Sequence, residues 1–196
     1  MVVTERKATG QQRLSRDAWI AAALAAIADG GLTAVAVEPL AARLGATKGS
    51  FYWHFKNRDA LVEAAIRHWE KETTTDLAEE ISTARDAPAS QFRRLVTSVI
   101  ERAEHDRVGP ALLASAAHPA VSPALQRVTA ARLDLIATVL RRLGFAPAEA
   151  RRRALLAYSA YLGHSQLAHS TPGVLPATNA GRRDYLDDAI RALTAH

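Results

Sequence analysis

The chain has 196 residues, 48% hydrophobic and 23% charged, enough to bury a proper core and to hold one large or two small globular domains. It has no cysteine, which excludes disulfides, thiolate catalysis and Cys-ligated zinc, and makes a reducing cytoplasm the natural home. The net charge of +5 favours an anionic partner, and it is uneven: residues 1 to 60 carry eight Lys or Arg against five Asp or Glu, net +3, leaving +2 (17 against 15) for the other 136 residues.

Residues 1–14 read as a polar, flexible basic arm, with Arg6, Lys7, Arg13 and Arg16 preceding or opening the first helix. Such an arm suits a phosphate backbone or a minor groove, or is simply a solvated tail. Met1 to Arg13 has no apolar core and the Ala-rich run from Ile20 to Ala28 is too short to cross a bilayer, so no export signal and no membrane partner are expected. Ser15 caps a first helix whose stripe of Ala18, Trp19, Ala22, Ile27 and Ala28 ends at Gly30-Gly31. A short second helix repeats apolar residues at Val37, Leu40, Ala41 and Leu44, stops at Gly45, and a third starts after Thr47, whose hydroxyl caps it. Phe51 and Phe55, four apart, share one face and anchor this third helix, while Gly49, Tyr52 and Trp53 project from its other sides. Helix, tight turn and helix is a geometry that suits the major groove of duplex DNA.

Asn57 then caps a long fourth helix through about Thr83. Pro88 opens a fifth to about His105, Gly109-Pro110 opens a short sixth, and Ser122-Pro123 opens a seventh that ends at Gly144. An eighth runs from Pro147 to about His169, the stretch Thr171 to Pro176 is a loop, and Asn179 caps a ninth. With no alternating β-branched run, the expectation is an all-α protein of about nine helices. Ser159, Ala160 and Gly163 give the eighth helix a face that permits close approach, and the ninth offers Leu186, Ala189, Ile190 and Leu193.

Enzymatic patterns are weak. Gly163-His164-Ser165-Gln166 lacks the second glycine of a nucleophile elbow and lies inside a helix. His164 and His169 are five apart, off the shared face that zinc needs, and His68 with Glu72 reads as a surface pair. No catalytic residue, metal or cofactor is expected.

Leu44-Gly45-x-x-x-Gly49-Ser50-Phe51-Tyr52-Trp53-His54-Phe55, followed by Lys56-Asn57-Arg58-Asp59-Ala60-Leu61, resembles the signature of the TetR family of one-component repressors, over roughly residues 15 to 62. The resemblance implies a three-helix helix-turn-helix DNA-binding domain at 15–56 and a helical effector-binding and dimerisation domain at 57–196. It implies DNA contacts at Thr47, Lys48, Gly49, Ser50, Tyr52, Trp53 and His54, with Lys56 and Arg58 following. Among these, Lys48 suits guanine O6 and N7, Ser50 a thymine methyl or a base acceptor, and Gly49 close backbone approach. Tyr52, His54, Lys56 and Arg58 suit phosphates, with His54 equally open to a bond inside the domain. The chain departs from the family where a Ser or Thr often caps the second helix, since Ala36 and Val37 stand there; Glu38 beside them is read as solvated rather than base-reading.

The resemblance further implies a homodimer through the last two helices and a palindromic double-stranded DNA operator. It also implies a small-molecule pocket whose ligand, unidentified here, moves the fourth helix and spreads the two recognition helices. Candidate lining groups are Trp69, Phe92, Ile100, His105, Leu113, His118, Leu135, Tyr158, Tyr161 and Leu162. The function so implied is a ligand-responsive, sequence-specific transcriptional regulator, most simply a repressor. The alternatives are a constitutive DNA-binding protein without an effector, and an enzyme or small-molecule carrier on a helical fold.

Overall fold

The computed structural model describes residues 14–83 and 86–195, and every regular element among them is helical. Helix α1 (Arg16–Gly30) starts where Ser15 Oγ accepts the Ala18 N–H at 3.1 Å. It stops at Gly31, whose φ of 69° lies in the left-handed region that glycine enters without a Cβ penalty. A 3₁₀ turn (Leu32–Ala34) leads to α2 (Val37–Arg43), and Gly45, also left-handed at φ 62°, turns the chain into α3 (Lys48–His54). Thr47 caps α3 by accepting the Ser50 N–H at 3.2 Å.

One aromatic nail holds this end together. Phe51 stands edge-on to Trp19 of α1 at 5.4 Å between centroids and stacks on Phe55 at 5.7 Å, all three rings being buried. The same core continues through Leu61, Ile66 and Trp69 of α4 (Arg58–Glu70) to Leu112 and Val128 further along the chain. Asn57 caps α4, its Oδ1 accepting the Ala60 N–H at 2.9 Å.

The expected long fourth helix is one rod with a flaw in it. From α4 the backbone passes through a π-turn (Lys71–Thr75) into α5 (Asp76–Thr83) without leaving the helical path. Three consecutive β-branched residues, Thr73-Thr74-Thr75, favour a looser turn there. The buried residues along the rod are Trp69, Thr74, Leu77 and Ile81, and the wider turn accommodates the five-residue step from Trp69 to Thr74.

Then follow α6 (Pro88–His105), α7 (Val108–Ala114), α8 (Ser122–Arg142), α9 (Pro147–Ser170) and α10 (Asn179–Thr194), with a 3₁₀ turn (Pro172–Val174) before the last. Counting α4 and α5 as one rod gives nine helices among the described residues. Two starts differ from expectation. α7 opens at Val108 rather than at Gly109-Pro110, because Asp106 Oδ1 accepts the N–H groups of Val108 and Gly109, both at 3.0 Å. α10 is capped by Thr178 rather than Asn179, since the Thr178 hydroxyl accepts the Gly181 N–H at 3.0 Å. A second core of Leu77, Ile81, Phe92, Leu95, Leu140, Phe145, Ala154 and Leu193 ties α5, α6, α8, α9 and α10 together.

Candidate nucleic-acid interface and interior cavity

The α3 helix divides its aromatics by face. Phe51 is fully buried, while Tyr52 is 59% and Trp53 83% exposed, and Lys48 and Gly49 are exposed at the helix start. Exposing two large rings side by side is costly in water and marks a surface meant for contact. Lys48 forms an ion pair with Glu38 of α2, across the turn. Each partner favours the other's charged form, so the hydrogen bond from Lys48 holds the Glu38 carboxyl below its usual range and Glu38 holds the Lys48 ammonium above its own. Glu38 is therefore solvated but not unengaged.

Two expected phosphate ligands face inward instead. The Leu14 carbonyl accepts from His54 Nε2 at 2.8 Å, which fastens the chain entering α1 to the end of α3. Arg58 donates from Nε to the Val35 carbonyl at 2.6 Å and from its other end to the Leu32 carbonyl, pinning the 3₁₀ turn to the start of α4. Lys56 is exposed. Of the basic arm, Arg6, Lys7 and Arg13 lie outside the described residues.

A cavity of about 440 Å³ lies on the seam between the two cores. Leu24 of α1 and Trp69 of α4 border it on one side, and Leu77, Phe92, Leu95 and Leu193 on the other. Its volume falls in the range of small-molecule sites, and its wall is mainly apolar with a few polar groups. Trp69 Nε1 donates to Asp106 Oδ2 at 3.1 Å, so the carboxylate that caps α7 also fixes the indole in the cavity wall. Glycine at 109 leaves room there: a Cβ at that position would come within 2.7 Å of Asp106 Oδ2, so the carboxylate would have to shift, while the Trp69 ring at 3.5 Å would be in ordinary contact. α7 in turn packs on α1, and Arg107 meets Asp29 at 3.3 Å. The cavity wall and the helix-turn-helix are thus mechanically continuous.

Arg132 of α8 reaches the cavity between Trp69 and Tyr161, its guanidinium carbon 5.7 Å and 5.4 Å from the two ring centres. It donates to Thr74 Oγ1, Thr73 Oγ1 and the Thr73 carbonyl of the π-turn, at 3.1, 3.1 and 3.4 Å, and to the Tyr161 hydroxyl at 3.2 Å. Burial pushes the Tyr161 phenol above its ordinary value, with Arg132 pulling the other way, so Tyr161 meets Arg132 as a neutral hydroxyl.

Comparison with known proteins bears on the whole arrangement. Residues 20–65 match the model of the bacterial regulatory proteins of the tetR family. The helix-turn-helix is a TetR-family domain. Over 52 residues the chain is 42% identical to the class C tetracycline repressor protein of Escherichia coli, a match covering 26% of this chain and 24% of that repressor. The alignment therefore spans only about a quarter of the curated relative. Likeness of fold extends further. A transcriptional regulator from Rhodococcus sp. Rha1 superposes with a TM-score of 0.73 at 22% identity, over 92% of this chain and 94% of its own. SmeT, the repressor of the Stenotrophomonas maltophilia multidrug efflux pump SmeDEF, superposes with a TM-score of 0.67 at 24% identity, over 93% and 89%. Its complex with triclosan gives 0.72 at 23%, over 90% of each chain. These likenesses show the TetR-like fold.

Within this TetR-like frame, seven of the ten residues expected at the pocket meet round the cavity: Trp69, Phe92, Ile100, His105, Leu135, Tyr158 and Tyr161. Three lie elsewhere. Leu113 and Leu162 border a small crevice behind Tyr161, with Leu113 44% exposed. His118 is a turn residue whose Nδ1 accepts the Ala120 N–H at 3.2 Å and whose carbonyl accepts from Val121 and Ser122, starting α8. Among the lining groups sequence reasoning missed are Thr73, Asp106, Arg132 and Tyr185. A polar residue amid an apolar helix stripe was the available signal for Arg132. On α9, Leu155, Leu156 and Leu167 are exposed, and Leu156, Ser159, Gly163 and Leu167 form a stripe at spacings of three and four.

Proposed function

We propose that the protein is a homodimeric, ligand-responsive transcriptional regulator of the cytoplasm, a repressor that leaves a palindromic operator when a small molecule fills the cavity. In this reading residues 15–56 read DNA and residues 57–196 bind the effector and the second subunit. The observation that carries it is α3 itself, keyed to the core by Phe51 and Phe55 while it turns Lys48, Ser50, Tyr52 and Trp53 outward. Lys48 and Ser50 read base edges; Thr47, Gly49, Tyr52 and Lys56 meet the backbone; His54 and Arg58 hold the domain in shape.

Dimerisation uses the α9 stripe together with α10, and sets two copies of α3 about 34–36 Å apart, one helical turn of DNA. The solved complex of SmeT with triclosan supports a small-molecule ligand for a protein of this fold. An effector acts by population shift: it binds the DNA-incompetent dimer more tightly, and DNA reciprocally weakens its affinity.

The test is selection of duplexes from random DNA, followed by titration of wild type, Tyr52→Ala and Lys48→Ala at several salt concentrations. The expected result is an enriched palindrome, weaker binding of Tyr52→Ala to every sequence, and a loss of about 1–3 kcal/mol with one relaxed base position for Lys48→Ala. No enriched sequence, with binding indifferent to both changes, overturns the reading.

A further inference from the structure

The cavity's charged groups are not equally satisfied. Arg102 pairs with Glu80 and Glu72 with His68, while both oxygens of Asp106 are filled by three N–H donors that cap α7 and hold Trp69. Arg132 is different. Among the described residues no carboxylate lies within ion-pair distance of it; its acceptors are two threonine hydroxyls, one carbonyl and a neutral phenol. The separations of 3.1 to 3.4 Å exceed the roughly 2.7–2.9 Å of charge-assisted bonds to an anion. Four acceptors also leave one of the five guanidinium N–H groups unused. A half-buried cation with only weak neutral partners is a standing cost that an incoming anion removes. The Trp69 and Tyr161 rings lie 5.7 and 5.4 Å from the guanidinium carbon and confine it, and a guanidinium fork suits a planar, two-point acceptor.

We propose that Arg132 is the recognition group for an acidic effector: an apolar molecule carrying a carboxylate, whose body lies among Phe92, Leu95 and Leu135 and whose anion takes the fork of Arg132. This rests on the effector-binding reading above and specifies the ligand class for it. Recognition and response are joined, because the guanidinium that takes the anion also staples α8 to the π-turn. A carboxylate that draws Arg132 away from Thr73 and Thr74 unfastens the π-turn between Trp69 and Leu77, and α4 is then able to re-register against α5.

Calorimetric titration of the full-length protein decides it, using linear and aromatic carboxylic acids of about eight to fourteen carbons, each beside the matched alcohol and amine. Acids are expected to bind about tenfold or more tighter than the matched alcohols, with amines weakest. Arg132→Gln should bring acids down to the level of alcohols, and Arg132→Lys, which keeps the charge without the fork, should retain part of the preference. Thermal unfolding of both variants checks their folding, and if Arg132→Gln does not fold, the wild-type order of acid, alcohol and amine still decides. In hydrogen exchange, acids but not alcohols should alter the amides of residues 71–76; unchanged exchange overturns the coupling through the π-turn. Equal binding of acids and alcohols, or a lead for amines, overturns the assignment of Arg132 while leaving the effector reading standing. Binding of no probe at all removes the effector reading itself.

Discussion

The two ends of this molecule solve opposite problems with the same helices. Around α1 to α3, interlocked rings and side-chain caps leave a unit with one arrangement, and the exposed residues of α3 are fixed relative to one another. Around the cavity, the long rod contains a π-turn, a tryptophan hangs on a single carboxylate, and an arginine is held by neutral groups. A surface that reads DNA must be rigid, and a chamber that responds to a ligand, as proposed above, must have somewhere to go. The contrast teaches that stability and adaptability are distributed along one chain according to where aromatic packing is complete.

The sharpest way to break the contrast is Phe51→Ala. Removing a fully buried ring that keys α3 to α1 should cost about 3–5 kcal/mol in urea unfolding, and a loss below about 1 kcal/mol would mean that the reading end is not held by this packing. Next in size is Gly109→Ala. The new methyl meets Asp106, so the cap of α7 and the Trp69 bond must shift, at an expected cost of about 1–3 kcal/mol and with weaker ligand binding in calorimetry. An unchanged melting curve and unchanged ligand binding would show that the Asp106 bridge is not under tension.

A smaller effect separates the regions by pH. His164, nearly inaccessible between α9 and α10, has its pKa lowered chiefly by burial, against an opposing pull from Glu104 3.7 Å away. The unfolded chain therefore binds the proton more readily than the native one, and stability falls as pH drops below the ordinary histidine value near 6.5. Between pH 7.5 and 5.5 the urea midpoint of wild type should fall more than that of His164→Asn; parallel lines would assign the acid sensitivity elsewhere. The smallest effect belongs to Glu38→Gln. Both members of its pair with Lys48 are exposed, so unfolding should not change measurably, whereas DNA binding should strengthen less than about tenfold as a charge facing phosphate is removed. Weaker binding would instead make Glu38 a positioning residue for Lys48.

The difference between the ends also governs what the amino-acid order discloses. Ser15, Thr47 and Asn57 are legible as caps because a cap is made by atoms three residues away, and Phe51 with Phe55 is legible because four-residue spacing alone places both on one face. The TetR-like helix-turn-helix is visible for the same reason. Asp106 escaped notice as a cap because Pro110, two residues into α7, is the louder signal. Leu113 and Leu162 were expected in the cavity on apolar character, but helix phase decides which leucine points in, and phase past a π-turn or an irregular loop is not read from local spacing. Arg132 acquires meaning only beside Thr73, 59 residues away in sequence. His54 and Arg58 lie within the signature, yet their partners, Leu14, Leu32 and Val35, are set by how α1 crosses α3 and α4.

The three tryptophans of the chain fall one to each of its working parts: Trp19 inside the first core, Trp53 on the outer face of α3, and Trp69 in the cavity wall. Their surroundings differ enough to separate their emission, blue-shifted for the enclosed indoles and red-shifted for the one in water. Single-tryptophan forms, with the other two replaced by phenylalanine, therefore give three optical channels without any attached dye. The first follows unfolding, the second follows engagement of the α3 surface, and the third follows occupancy of the chamber, so the order in which those events occur is open to direct timing.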